Sequence, residues 1–71
     1  LKARYQTLTV REKEICRYLG KNLLNREVAE RLSISERTVE GHRASAFKKL
    51  GIHSVKELTL IQLELNLSNA E

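Results

Sequence analysis

The sequence contains no proline and only three glycines among its 71 residues. No segment alternates apolar and polar residues for long, which is the pattern that a half-buried strand requires. We therefore expect an all-α fold. A chain of this length forms one domain and buries only about 60% of the surface that its unfolded form exposes, so a large active-site cleft is excluded.

Cysteine is nearly absent, since Cys16 is the sole one, and we expect it to be a half-buried core thiol. Small secreted domains need paired cysteines, so the chain fits a reducing cytoplasm better. No apolar run approaches the roughly 18 residues of a membrane helix, and no signal-peptide pattern occurs. We expect a cytoplasmic protein that does not enter the membrane.

Residues with the spacing of a chemical site are also lacking. His42 and His53 lie far from each other and from Cys16 in sequence, so no metal-ligand spacing is present. No glycine-rich phosphate loop and no candidate catalytic set occurs. The sequence predicts no metal and no cofactor, and an enzyme is the class that it supports least.

Positive charge is abundant, with a net charge of +4 and a pI of about 9.6. All lysines and arginines except Lys56 lie in residues 1–53, whereas residues 54–71 carry a small acidic excess. A basic domain attracts polyanions, of which DNA is the commonest, although a basic surface can also be merely solvated.

Capping signals divide the chain into four predicted helices. Thr9 with Glu12, and Ser54 with Glu57, have the spacing of capping boxes. The predicted helices cover residues 10–21, 26–32, 36–50 and 55–66.

The joints between these helices are short. Asn22 ends the first helix in a left-handed conformation, and Gly51 ends the third. Asn25 and Ser35 are the expected N-caps of the second and third helices. Only about three residues separate those two helices, with Ile34 packed into the core, which is typical of a helix-turn-helix unit.

The same signals set the domain bounds. We expect residues 1–6 to be the end of an interdomain linker, 7–67 to be the domain and 68–71 to be a fraying tail. The chain begins with Leu1 instead of Met, so we expect it to be part of a longer protein.

The third helix has two contrasting faces. On a helical wheel Val39, Ala46 and Leu50 point inward, flanked by Phe47 and His42. The opposite face has little bulk at its centre and a cation near each end, so it fits the major groove of DNA. This face comprises Arg37, Glu40, Gly41, Ala44, Ser45 and Lys48.

Individual residues of this helix have alternative roles. Gly41 costs about 1 kcal/mol relative to alanine, which either a DNA contact or a tight helix crossing explains, although its outward direction disfavours the crossing. Glu40 accepts a hydrogen bond from a cytosine amino group or pairs with Arg37 or Arg43. Arg43 points partly inward, so its head reaches either a phosphate or a surface carboxylate.

Phosphate is attracted to the starts of the second and third helices, where free backbone N–H groups and the positive dipole end lie. Asn25, Ser35 and Thr38 lie there and are candidate donors to phosphate oxygens. Arg37 and Lys48 are placed to meet phosphates or base edges.

The last helix carries two apolar stripes on opposite sides. The first, Val55, Leu58, Ile61 and Leu65, is expected to pack on the other helices. The second would be exposed in a monomer, so it predicts homodimerisation, or else cover by an upstream domain. The predicted dimer interface comprises Thr59, Leu60, Leu63 and Leu67.

Several long motifs together closely resemble the LuxR-type helix-turn-helix domain, the C-terminal DNA-binding domain of LuxR-, FixJ- and NarL-like bacterial transcription regulators. The resemblance covers about residues 7–66. The residues that carry it are Leu8–Ile15, Asn25–Ala29, Leu32–Arg43, Lys49–Gly51, Ser54 and Glu57–Leu58.

The resemblance implies four helices with the third in the major groove, and dimers through the fourth. It implies base-edge contacts at Glu40, Gly41 and Ala44, to which the wheel adds Arg37. Asn25, Ser35, Thr38, His42 and Lys48 match positions that touch the DNA backbone or shape the motif. Two residues depart from the family pattern: Asn22 stands where glycine is usual, and Ala44 where many members have a longer side chain.

We therefore expect a sequence-specific double-stranded DNA-binding domain of a bacterial response regulator in a two-component system, with an upstream receiver or ligand-binding domain. The phosphate set is Asn25, Ser35, Thr38, His42, Arg43 and Lys48. The alternative is a protein-interaction module that docks a receiver domain or RNA polymerase through the last helix.

Overall fold

The computed structural model of the chain describes the backbone of residues 2–69 and the side chains of residues 3–65. The described residues form helices and contain no strand, so the all-α prediction is confirmed. The helices are α1 (Lys2–Gln6), α2 (Val10–Leu19), α3 (Asn25–Leu32), α4 (Glu36–Leu50) and α5 (Val55–Asn69). The helix-turn-helix unit is α3 and α4.

Helix α1 occupies the segment for which we expected the end of a linker. Its Tyr5 packs against the core, and a guanidinium nitrogen of Arg4 lies beside Gly51 at the end of α4. Three other bounds differ from prediction by one to three residues: α2 ends at Leu19, α3 begins at Asn25 and α5 extends to Asn69. The remaining bounds, including both ends of α4, are as predicted.

Helix α2 starts as its capping box predicts. The Thr9 N–H donates to Glu12 Oε1 at 2.8 Å, and the Glu12 N–H donates to Thr9 Oγ1 at 3.1 Å. After two turn residues, Asn22 adopts the predicted left-handed conformation, with φ of 66°. A side chain rarely accepts this conformation, and asparagine tolerates it better than most.

The start of α3 corrects the prediction for Asn25. The N-cap residue is Leu24, whose N–H donates to Glu27 Oε1 at 2.8 Å, and Asn25 is the first helical residue. A glutamate three residues past the cap satisfies one backbone donor even though the cap residue itself is apolar. This arrangement frees the Asn25 side chain for another partner.

The start of α5 also differs in detail. The Glu57 N–H donates to Ser54 Oγ at 3.3 Å, as predicted. The Glu57 carboxylate, however, accepts from the N–H of His53 and not from that of Ser54. The first bond satisfies a donor that the helix leaves open, and the second satisfies the N–H of the residue before the cap.

The turn between α3 and α4 works without glycine. Ser33 takes the left-handed conformation that ends α3, with φ of 57°, and Ile34 packs against the core as predicted. Ser35 Oγ accepts from the Thr38 N–H at 3.0 Å, which confirms Ser35 as the N-cap of α4.

The core lies between α2, α3, α4 and α5. Its fully buried side chains include Ile15, Val28, Val39 and Leu58. Val10, in the first turn of α2, is exposed. Cys16 is fully buried, more deeply than predicted; burial, and then the charge of Glu12, raises the pKa of its thiol to about 11.

Gly20 makes room for a bond between distant helices. The Gln62 amide reaches across from α5, and its Nε2 donates to the Cys16 carbonyl at 2.9 Å. A Cβ on Gly20 would lie 1.9 Å from Gln62 Oε1, although the backbone there, with φ of −66°, suits any residue. Glycine at this position therefore leaves the space in which the Gln62 amide makes this bond.

A buried carboxylate links α2 to α4. Glu12 is 3% exposed, and Lys49 Nζ of α4 contacts its Oε1 at 2.9 Å. Burial by itself opposes the charge, but hydrogen bonds from Ser45, Lys49 and Thr9 outweigh it and lower the pKa of Glu12 to about 2.

We predict that Glu12→Gln lowers the free energy of unfolding by roughly 3 kcal/mol at neutral pH, since this is the value of a pKa moved from 4.5 to about 2. A carboxyl group whose pKa is lowered in the folded state stabilises the fold at pH values above its ordinary pKa of 4.5. This stabilisation is lost as pH falls toward 2. The difference between wild type and variant should therefore shrink below about pH 5.

Urea titrations across this pH range measure that difference. Glu14→Gln is the matched control, because Glu14 meets Arg11 only at 3.8 Å on an open surface, and its effect should stay within about 0.5 kcal/mol. An equal loss for Glu12→Gln at neutral and at acid pH would disprove the assigned pKa.

Candidate nucleic-acid interface

Helix α4 buries one face and exposes the other. Val39 and Ala46 are fully buried and Leu50 nearly so, which confirms the predicted inner stripe. The predicted outer face is solvent-accessible over most of its length. Its exposed members are Arg37, Glu40, Gly41, Ala44 and Lys48.

Gly41 lies in the middle of this outer face. A Cβ built on it has no neighbouring atom within 4 Å outside its own helix backbone. The alternative that Gly41 serves a tight helix crossing is therefore wrong. The space over Gly41 is open, so a backbone or base edge from another molecule can approach it closely.

Ser45 was predicted to lie on the exposed face, and this prediction is wrong. It is half-buried, and its hydroxyl is among the groups that lower the pKa of Glu12. Both neighbouring lysines are exposed, but Lys49 directs its ammonium group to Glu12, whereas Lys48 does not. The exposed face is therefore narrower than the helical wheel indicated.

The charged residues of the face do not neutralise one another. Among the described residues, ion pairs join Arg11 to Glu14 and Lys49 to Glu12, and none involves Arg37, Glu40 or Lys48. Two roles were considered for Glu40, and the ion pair with Arg37 or Arg43 is not present. Its carboxylate remains an acceptor on the open face.

The start of α4 presents two hydroxyl groups. Ser35 and Thr38 are both exposed, and their oxygens lie 2.7 Å apart. Ser35 Oγ accepts the capping bond, and one of the two hydroxyls donates its hydrogen to the other. The hydrogen of the second hydroxyl therefore remains available to a further acceptor. His42, one turn further along, is half-buried beside this end of the face.

The start of α3 is tied to α4 by Asn25 and Arg43. Arg43 Nη1 donates to Asn25 Oδ1 at 3.0 Å, and the Arg43 guanidinium lies 5.1 Å from the centre of the Phe47 ring. Sequence reasoning offered a phosphate or a carboxylate for Arg43, and missed this amide. The inward direction of Arg43 was the one signal that pointed to α3.

Helix α5 leaves a second surface open. Leu60 is 57% and Leu63 is 55% exposed, whereas Leu58 and Ile61 are buried, so the two predicted stripes are confirmed to this extent. Thr59 is exposed beside them. Leu67, the last residue assigned to this interface, has its side chain outside the described residues.

The described residues hold neither a metal-binding cluster nor a membrane-spanning helix. No group of three His, Cys, Asp or Glu residues in this part of the chain is placed to hold a metal ion. Within the same residues, no helix is long and apolar enough to cross a membrane.

In a helix-turn-helix unit that binds DNA, the second helix lies in the major groove and its exposed face contacts base edges. The profile of the family described as "Bacterial regulatory proteins, luxR family" matches residues 6–62. This chain belongs to that family. The predicted LuxR-type resemblance, and with it a DNA-binding output domain of a transcription regulator, is confirmed.

Several curated luxR-type proteins are similar to the chain. Fimbriae Z protein of Salmonella typhimurium is 45% identical over 51 residues, 72% of this chain and 24% of that protein. Tetrathionate response regulatory protein TtrR of the same organism is 44% identical over 54 residues, 76% of this chain and 26% of that protein. Response regulator protein TmoT of Ectopseudomonas mendocina is 38% identical over 61 residues, 86% and 28% of the two chains. The chain thus spans about a quarter of the length of these relatives.

We predict that Gly41→Ala has opposite effects on stability and binding. Because the space is open, alanine should stabilise the free luxR-type domain by up to about 1 kcal/mol through its helix propensity. The added methyl group should weaken binding to a selected DNA duplex severalfold, because it holds the helix away from the bases. Thermal unfolding and fluorescence anisotropy measure the two effects.

Gly20→Ala is the matched control for this variant. It should destabilise the domain by about 1 kcal/mol, because Gln62 must give up its bond to Cys16, yet leave the DNA affinity of the folded domain unchanged. Gly41→Ala that binds DNA as tightly as wild type would contradict a close approach at Gly41.

Proposed function

We propose that the outer face of α4 enters the major groove and that Arg37, Glu40, Gly41 and Ala44 meet base edges. The observation that carries this proposal is the open space over Gly41 on an exposed face. Glu40 is the residue suited to select a base, since its unpaired carboxylate accepts from a cytosine amino group. Arg37 offers donors at the first turn of the helix.

Phosphate contacts fix the register of the domain on the duplex and supply much of its affinity. The proposed contacts lie along the rim of the face and at the starts of α3 and α4. Arg43 belongs to this set only indirectly, through the hydrogen bond that it donates to Asn25. The set comprises Asn25, Ser35, Thr38, His42, Arg43 and Lys48.

In the whole protein, residues 7–67 would form the domain, and α1 would be the end of an interdomain linker that packs on the domain through Tyr5. Residues 68–71, of which α5 includes the first two, would be its tail. Two of the relatives described above are named response regulators, and each is about four times as long as the matched region. An upstream receiver domain in a cytoplasmic two-component regulator is the arrangement we infer. RNA polymerase is the further partner expected at a promoter.

Homodimerisation through α5 completes the proposal. Leu60 and Leu63 expose adjacent apolar surface. The proposed interface also takes in Thr59 and, from the sequence pattern, Leu67. A two-fold dimer places two α4 helices on two half-sites of the duplex, as in other helix-turn-helix proteins.

Lys48→Ala and Glu40→Ala should affect DNA binding in different ways. Lys48→Ala should weaken binding to all sequences by a similar factor and reduce the salt dependence, because one phosphate contact is lost. Glu40→Ala should change base preference at one position, by about 1–3 kcal/mol. Duplexes substituted at each position, titrated at several salt concentrations, separate the two effects. If Glu40→Ala weakens every duplex equally, its assignment to a base is incorrect.

Leu63→Glu should abolish self-association. Removing a buried leucine from each side of the interface and adding two charges should weaken the dimer at least tenfold. Light scattering of the domain, alone and on a duplex with two half-sites, measures its molar mass. Val10→Glu is the matched control, because Val10 is an apolar residue that is 78% exposed in the first turn of α2. A wild-type domain that stays monomeric even on DNA would count against the dimer and favour a partner domain on this stripe.

A further inference from the structure

The contact between Arg43 and Asn25 joins the two helices of the helix-turn-helix unit through one hydrogen bond of 3.0 Å. Both residues are half-buried, and both line a depression of about 590 Å³ at the start of α3. Arg26 and Glu36 contribute further charged groups to its wall.

The chemistry of this contact decides which way the Asn25 amide faces. A guanidinium has only donors, so the atom of Asn25 that meets Arg43 must be the carbonyl oxygen. The amide nitrogen then points away from Arg43, with both of its hydrogens available to an acceptor. Because Leu24 is the N-cap of α3, capping does not claim the Asn25 side chain.

Arg43 is itself held in place. Its guanidinium lies over the ring of Phe47, one turn further along α4, at 5.1 Å from the ring centre. Cation–π contact and partial burial restrict the side chain, so it offers its donor to Asn25 from a fixed position. Asn25 is thereby constrained from α4 as well as by its own helix.

We propose that Arg43 is a positioning residue for DNA binding: it fixes the Asn25 amide with its donors directed away from α4 and toward the DNA backbone. This inference rests on the proposed phosphate contact of Asn25. A phosphate accepts hydrogen bonds and donates none, so an amide presented in the opposite sense would set oxygen against oxygen. Arg43 thus raises affinity without touching the phosphate itself.

A double-mutant cycle tests the proposal. Dissociation constants are measured for wild type, Arg43→Met, Asn25→Ala and the double variant on a labelled duplex recovered by selection from a random pool. Arg31→Met, made in the wild-type and Asn25→Ala backgrounds, is the control for general loss of charge, since Arg31 lies over Tyr18 at 5.8 Å.

In the wild-type background, Arg43→Met should weaken binding about tenfold more than Arg31→Met, the effect of one lost charge-assisted hydrogen bond. In the Asn25→Ala background, the two methionine variants should be equivalent. An Arg43→Met loss that is the same in both backgrounds would overturn the positioning role, because Arg43 would then contact DNA directly. Asn25→Ala that binds as wild type would instead overturn the phosphate contact of the proposed function.

A measurement on the wild-type domain covers the case in which Arg43→Met does not fold. The side-chain amide of Asn25 should give a resolved pair of NMR signals, which should shift when the same duplex is added. The conservative variant Arg43→Lys, which keeps a donor, should retain this shift. Signals that do not respond to the duplex in wild type would overturn the proposal.

Discussion

The carboxylate of Glu12 is the interaction on which the orientation of α4 depends. It accepts from the backbone at the start of α2 and from Lys49 near the end of α4, so one buried group both begins a helix and ties it to the recognition helix. A charge this buried is tolerated because each of its partners is a donor. Loss of any of these donors would leave a buried charge partly unsatisfied. The contact between Glu12 and Lys49 therefore favours this one packing of α2 on α4.

The contact with Glu12 also gives two adjacent lysines different roles. Lys49, although exposed, reaches Glu12 with its ammonium group, whereas Lys48 forms no ion pair with a described residue and lies on the outer face of α4. The same division runs along the whole helix: Val39 and Ala46 bind it to the core, and Gly41 leaves its other side bare. A helix anchored on one face can present a second face without bulky side chains and still hold its position. The luxR-type recognition surface is in this sense a product of the packing behind it.

What the sequence could predict was set by distance along the chain. Thr9 with Glu12, Ser35 with Thr38, and the inner stripe of α4 all follow from the spacing of residues within one or two helical turns, and all were confirmed. Bonds between helices were missed, namely Lys49 with Glu12, Arg43 with Asn25, and Gln62 with Cys16. The partner in each depends on how the helices cross, which periodicity does not specify. Leu24 was missed as a cap for a different reason, because the stabilising group belongs to Glu27 and not to the cap residue.

The two exposed surfaces share one physical property: each contains residues that make the isolated domain less stable than it could be. Gly41 has a lower helix propensity than alanine, although the space around it is open. Leu60 and Leu63 leave apolar surface exposed in a domain of only 71 residues, which has little buried surface to stabilise it. Each loss is small enough for the core around Glu12 to tolerate, yet neither improves the packing of the isolated domain. Natural sequences keep such residues where function depends on them. DNA at α4 and a second copy at α5 would recover both losses, so occupation of the two surfaces together should favour the folded domain more than either alone.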